Sequence, residues 1–188
     1  MDNIDKWQYG YLVNELGVTP ETTVLDINNG IFSLAHDLVD YLGKGKYVSN
    51  VVKKMTLSPH VDFSPIEKTH TGKQPTSSII QNFQFTAPVD LAWEFDVFGH
   101  LAVYDGMLFL AKANAVTERL VFSYYDHSTA LDPRHINEPK SHPECNFYYT
   151  FKQVKTMAKH TGWEIRKLGT QTHPKNMTVV EAVRVKHI

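Results

Sequence analysis

The chain has 188 residues, 42% of them hydrophobic and 21% charged, with a formal net charge of -1. That length suits one domain with a full core and is short for two, and a charge so near zero gives no field favouring nucleic acid or an anionic membrane surface. The single cysteine, Cys145, excludes an internal disulfide, the start Met1-Asp2-Asn3-Ile4-Asp5-Lys6 lacks the basic and apolar run of a signal peptide, and no apolar stretch approaches the roughly 18 residues of a membrane span, so a cytoplasmic protein without a transmembrane segment is expected.

In chain order, Trp7, Tyr11, Leu12 and Leu16 give residues 4–16 one apolar helical face, and Gly17 is placed to end that N-terminal helical segment, taken as 1–17. Thr19-Pro20-Glu21 makes a turn. Thr23-Val24-Leu25-Asp26-Ile27 reads as a buried strand, a tight turn follows through Asn28, Asn29 and Gly30, and Leu34, Ala35, Leu38 and Val39 then predict a helix over 31–42. Lys46 to Val51 is a second strand after Gly43-Lys44-Gly45. Strand, helix and strand within this span have the length of a βαβ unit, for which a right-handed parallel crossover is expected.

Residues 52–78, with scattered prolines, form a long irregular loop, apart from a short helix near 52–57. Ile79 to Phe83 reads as a short strand, and Val89-Asp90-Leu91-Ala92-Trp93-Glu94-Phe95, apolar on both faces, suits a central one. A helix over 101–116 and a strand over 119–125 follow, then a second long connection over 126–149 rich in His, Pro and Asn. Phe151 to His160 is a helix with Thr150 as N-cap and Gly162 at its end. The strands 163–168 and 177–185 are joined too closely for a helical crossover and predict an antiparallel hairpin. The expected fold is α/β, a Rossmann-like, mostly parallel sheet with helices on both faces and an antiparallel C-terminal hairpin.

Three local strings, in order, carry a resemblance. Val24-Leu25-Asp26-Ile27-Asn28-Asn29-Gly30 is similar to the first motif of class I S-adenosylmethionine-dependent methyltransferases, an acidic strand end followed by a glycine-rich turn. Trp93-Glu94-Phe95-Asp96-Val97-Phe98-Gly99-His100-Leu101 resembles the fourth-strand phrase of a subgroup of small methyltransferases, whose ending also resembles Gly162-Trp163 and His173-Pro174 before Met177. The resemblance covers nearly the whole chain and implies a single methyltransferase-like domain over 1–188, with the cofactor at the carboxyl ends of the first, second and fourth strands. It implies that Asp26 orients the turn and meets the methionine end of S-adenosylmethionine, that Asn28 and Gly30 supply nearby backbone, and that Asn50 or Val51 lies where the family has a ribose-binding acid. Glu94 and Phe95 would wall the reacting end.

Asn28 and Val51 depart from the family pattern. Asn28 puts a Cβ where backbone must approach the ligand, although asparagine tolerates positive φ. Loss of the ribose acid removes a charged acceptor of roughly 1.5–3 kcal/mol per hydrogen bond. Two function classes stay open on these residues. The first is methyl transfer to a small-molecule or sugar-derived acceptor, with His100 or His127 as a base near the donor methyl if the acceptor is a hydroxyl or similar group. The second is a catalytically inactive chain of the same fold that binds a protein partner or regulates one. His100 has a capping or packing role as its alternative, and Glu94 that of a buried, paired carboxylate. Phe147, Tyr148 and Tyr149 either line an acceptor pocket or pack the core. His127, His135, His142 and Cys145 lack metal-ligand spacing, so no metal site is expected.

Overall fold

The computed structural model describes residues 3–27, 38, 40–42, 46–49, 61–62, 88–127, 146–168 and 174–186. The first-motif turn with Asn28 and Gly30, the strand end with Asn50 and Val51, the strand expected over 79–83, and His135, His142, Cys145 and His173 lie outside these residues.

The chain opens with α1 (Asn3–Gly10), which runs on into a π turn at Tyr11–Glu15. The strands are β1 (Thr23–Asp26), β2 (Lys46–Ser49), β3 (Val61–Asp62), β4 (Leu91–Trp93), β5 (Arg119–Asp126), β6 (Tyr148–Tyr149), β7 (Trp163–Lys167) and β8 (Thr178–Arg184). After β4 a 3-10 turn at Phe98–His100 leads into α2 (Val103–Asn114), and α3 (Phe151–His160) precedes β7. The sheet order is β3-β2-β1-β4-β5-β8-β7. β1 to β5 pair in parallel, whereas β8 is antiparallel to both β5 and β7. The open, mostly parallel sheet with a closing antiparallel hairpin is the expected architecture.

Both faces of the sheet are covered, which is why β1, β4 and β5 read as near-continuous apolar runs. On one face Tyr11, Leu12, Leu16 and Val18 from the N-terminal segment, with Leu38 and Leu42 from a helical stretch, pack on Val24, Tyr47, Leu91, Trp93 and Val121. On the other, α2 and α3 bring Phe109, Leu110, Val154 and Met157 onto Leu25, Ala92, Leu120, Phe122 and Val180.

α3 follows its sequence signals residue for residue. Val154, Met157 and Ala158, three and one apart, are its buried stripe. Thr150 caps it through a full capping box with Gln153, worth about 0.5–2 kcal/mol against alanine. Gly162, at φ 81, takes the left-handed conformation after the helix end.

Two short strands fall inside stretches read as irregular. β3 is a two-residue pairing on the edge of β2, and β6 lies parallel to the end of β5. Neither is long enough to show a two-residue period. Phe147 and Tyr149 are core residues, and Tyr148 is half-buried against Tyr125.

Candidate functional site

The sheet order reverses between β1 and β4: β1 is followed in the chain by β2 on one side, while β4 lies on its other side. Strand ends at such a switch point leave a crevice, the usual ligand position in an open α/β sheet. Here β1 and β4 end in register, Asp26 beside Trp93, and the Ile27 N–H donates to the Trp93 carbonyl at 2.7 Å.

Asp26 closes β1 and is buried. Its side chain falls on the same face as Val24, whose register partner on β2 is Tyr47, and the Tyr47 hydroxyl donates to Asp26 Oδ2. Burial pushes the Asp26 carboxyl up to about 7, with the tyrosine hydrogen bond pulling it back.

Glu94, just past β4, is turned inward. Its Oε1 accepts the backbone N–H groups of Val97 and, at 3.2 Å, Phe98, and its Oε2 accepts the Ser123 N–H at 3.1 Å. The carboxylate thus clamps the turn after β4 onto β5. Burial raises its carboxyl to about 8 against the pull of these N–H groups. Phe95 is buried on the opposite face, where Trp7 of α1 lies 6.0 Å from its ring and also stacks on Tyr11. Trp93 Nε1 donates to Gln8 Oε1 at 3.0 Å, so α1 is fastened to the end of β4.

The clamped turn places Asp96 in left-handed backbone, φ 69, a conformation that costs a non-glycine residue energy and is often held at functional sites. Its N–H donates to Ser123 Oγ at 3.1 Å. Among the described residues, three side chains stand around its carboxylate: His100 Nε2 at 3.6 Å from Oδ1, the Tyr125 hydroxyl donating to Oδ1 at 3.3 Å, and Lys175 Nζ on Oδ2. Burial pulls the Asp96 carboxyl up, but the His100 imidazole facing it and the hydrogen-bonded Lys175 ammonium outweigh it and hold it below the ordinary aspartate range. Asp96 therefore stays ionised at neutral pH.

His100 and His127, the two base candidates, have different surroundings. His100 joins the Asp96 cluster, its ring edge-on to Tyr125. His127 is exposed, one residue past β5. Its neighbour Asp126 accepts from Lys167 Nζ at 3.0 Å and from the Tyr124 hydroxyl at 3.2 Å. Sequence reasoning did not single out Asp96 or Lys175. The four-residue spacing of Asp96 and His100 was a usable signal for the first; Lys175 lies 79 residues from its partner and had none.

Among the described residues no group of His, Cys, Asp and Glu is arranged to hold a metal ion, and no helix is long and apolar enough to cross a membrane.

No protein-family model and no curated protein matches the sequence. Solved structures do match, across almost the whole chain. The magnesium protoporphyrin IX methyltransferase of Synechocystis PCC 6803, with bound S-adenosylmethionine, is 14% identical with a TM-score of 0.58, over 96% of this chain and 77% of that one. The 1,6-didemethyltoxoflavin-N1-methyltransferase of Burkholderia thailandensis is 14% identical at TM-score 0.60, over 98% and 79%. An O-methyltransferase family protein from Burkholderia thailandensis is 10% identical at TM-score 0.63, over 98% of this chain and 57% of that longer one. With the strand order, the reversal between β1 and β4 and the antiparallel β8, these likenesses show that the chain has the class I S-adenosylmethionine-dependent methyltransferase fold.

Proposed function

We propose that the protein is an S-adenosylmethionine-dependent methyltransferase acting on a small-molecule acceptor, sugar-derived compounds included. One observation carries this reading: β1 and β4 end side by side at the switch point with the buried Asp26 carboxyl at the tip of β1. The solved methyltransferases whose fold it shares include one named for magnesium protoporphyrin IX and one for 1,6-didemethyltoxoflavin, both small molecules.

The chemistry of the described donors fits the cofactor. Asp26 offers a carboxyl at the cation-bearing methionine end, and ionising near neutral pH lets it answer that charge. By the resemblance alone, since they lie outside the described residues, Asn28 and Gly30 are assigned to the turn beside it and Asn50 or Val51 to the place of the ribose-binding acid, where only Asn50 has a polar side chain to offer. Glu94 acts through the turn that it clamps, and Phe95 contributes an apolar wall. His100 or His127 takes a proton from the acceptor. When bound, the cofactor supplies an activated methyl group, so the protein's share of catalysis is mainly to align the reactants and exclude water.

Calorimetric titration with S-adenosylmethionine and S-adenosylhomocysteine tests the reading. Binding of both is expected. Ligand at a hundredfold excess over Kd should stabilise the fold by about 2.7 kcal/mol, a rise in Tm of roughly 5–10 °C. A chain that takes up neither ligand at millimolar concentration, with an unmoved Tm, overturns it and leaves a partner-binding or regulatory protein built on the same fold.

A further inference from the structure

We infer that Asp96 is the positioning residue that orients His100 as the base for an acceptor reacting through a hydroxyl, and that Lys175 sets how much of the Asp96 charge the imidazole feels. The inference rests on the methyl-transfer reading and deepens it by naming the acceptor's reacting group. Three separate parts of the chain converge on the Asp96 carboxylate: His100 from its own turn, Tyr125 from β5 and Lys175 from the β7–β8 turn. A carboxylate that only tied the hairpin turn to β4 would need Lys175 alone. Here Oδ2 serves Lys175, while Oδ1 meets both the tyrosine hydroxyl and the imidazole. The left-handed backbone of Asp96, supported by Glu94 and Ser123, is what aims the carboxylate at this junction.

The chemistry follows from the pairing. A carboxylate facing Nε2 favours the tautomer protonated there, which makes Nδ1 the basic nitrogen, and it stabilises the imidazolium once formed. In the transfer, the hydroxyl oxygen forms its bond to the methyl carbon as the carbon–sulfur bond breaks with its electron pair left on sulfur. The hydroxyl proton passes to His100. Among the described residues, the charged and titratable groups around the pair are Tyr125 of β5, with Tyr148 of β6 against its ring at 5.5 Å, Lys175 of the hairpin turn, and Glu94 at the end of β4. Of these, Lys175 is the cation that competes with the imidazole for the carboxylate.

Proton–nitrogen correlation spectra of the histidine rings, recorded across the neutral pH range on the full chain, test the pairing, with His100→Gln used to assign the signals. The wild-type His100 ring is expected as the Nε2-protonated tautomer. Asp96→Asn should lower its titration midpoint by about one pH unit and even out the tautomers, whereas Lys175→Gln should raise the midpoint. A midpoint and tautomer unchanged in Asp96→Asn overturn the inference. Should that variant not fold, a midpoint that stays or falls in Lys175→Gln overturns it instead. Calorimetry on the wild type with S-adenosylhomocysteine separates the two levels: no binding alongside the expected midpoint shifts supports the pairing and removes the methyl-transfer reading on which its catalytic use depends.

Discussion

Gly99 marks how closely the turn after β4 is pressed against β5. A Cβ there would stand 2.7 and 2.8 Å from two carbons of the Tyr125 ring and 2.9 Å from Met177 Cε. Gly99→Ala should therefore cost about 1–3 kcal/mol by overpacking, read as a lower urea midpoint at unchanged m-value; a midpoint equal to wild type would show that Tyr125 yields freely. Which residues mark this edge was legible in the sequence, because acidic residues and a histidine follow the ends of two apolar runs. What each of them does was not. The bonds of Glu94 run to N–H groups whose positions exist only once the turn and β5 have formed, and Lys175 reaches Asp96 only because the hairpin returns to it.

Among the elements, β5, β8 and β7 are laced together by one buried carboxylate. Glu181 of β8 accepts from Arg119 Nε at 2.7 Å on one side and Arg166 Nε at 2.6 Å on the other, and Arg119 also donates to the Leu16 carbonyl at 2.9 Å. Burial raises the Glu181 carboxyl, but the two guanidinium hydrogen bonds and charges outweigh it and hold it low. A carboxyl lowered in the folded state adds stability above its unfolded pKa of about 4.3 and loses it as pH falls through the folded value. Glu181→Gln should thus be less stable than wild type at neutral pH, by about 1–3 kcal/mol, and the gap should close below about pH 4. Urea melts of both proteins over that range check it; a gap independent of pH would mean that the pairing energy is not electrostatic. Element identity was legible wherever a period ran long enough: α3 and its cap, β5 and the closing hairpin all stand at or within a residue or two of their sequence bounds. The 101–116 helix is shortened at its start because the 3-10 turn at Phe98–His100 and the extended Ala102 precede α2.

Across the whole molecule, β5 is the axis. It is bonded to β4 on one side and β8 on the other, and most of its length is buried. Its amides from Leu120 to Ser123 should exchange with deuterium only through global unfolding, while those of β7, paired among the described residues with β8 alone, should exchange sooner through local opening. Equal protection in native-state exchange would count against this gradient. The strand order itself was legible only through the resemblance, since no local pattern states that β4 lies beside β1 or that β8 inserts between β5 and β7. That insertion has an outcome of its own. Because β8 runs against β5, it is the beginning of β8, Thr178 beside Tyr124, that meets the edge where the parallel strands finish. The turn carrying Lys175 is therefore delivered to that edge from behind, by a strand pair whose register the Arg166–Glu181 rung already fixes. A side chain just ahead of Thr178 is thus held at that edge by the pairing of β8 with its two neighbours.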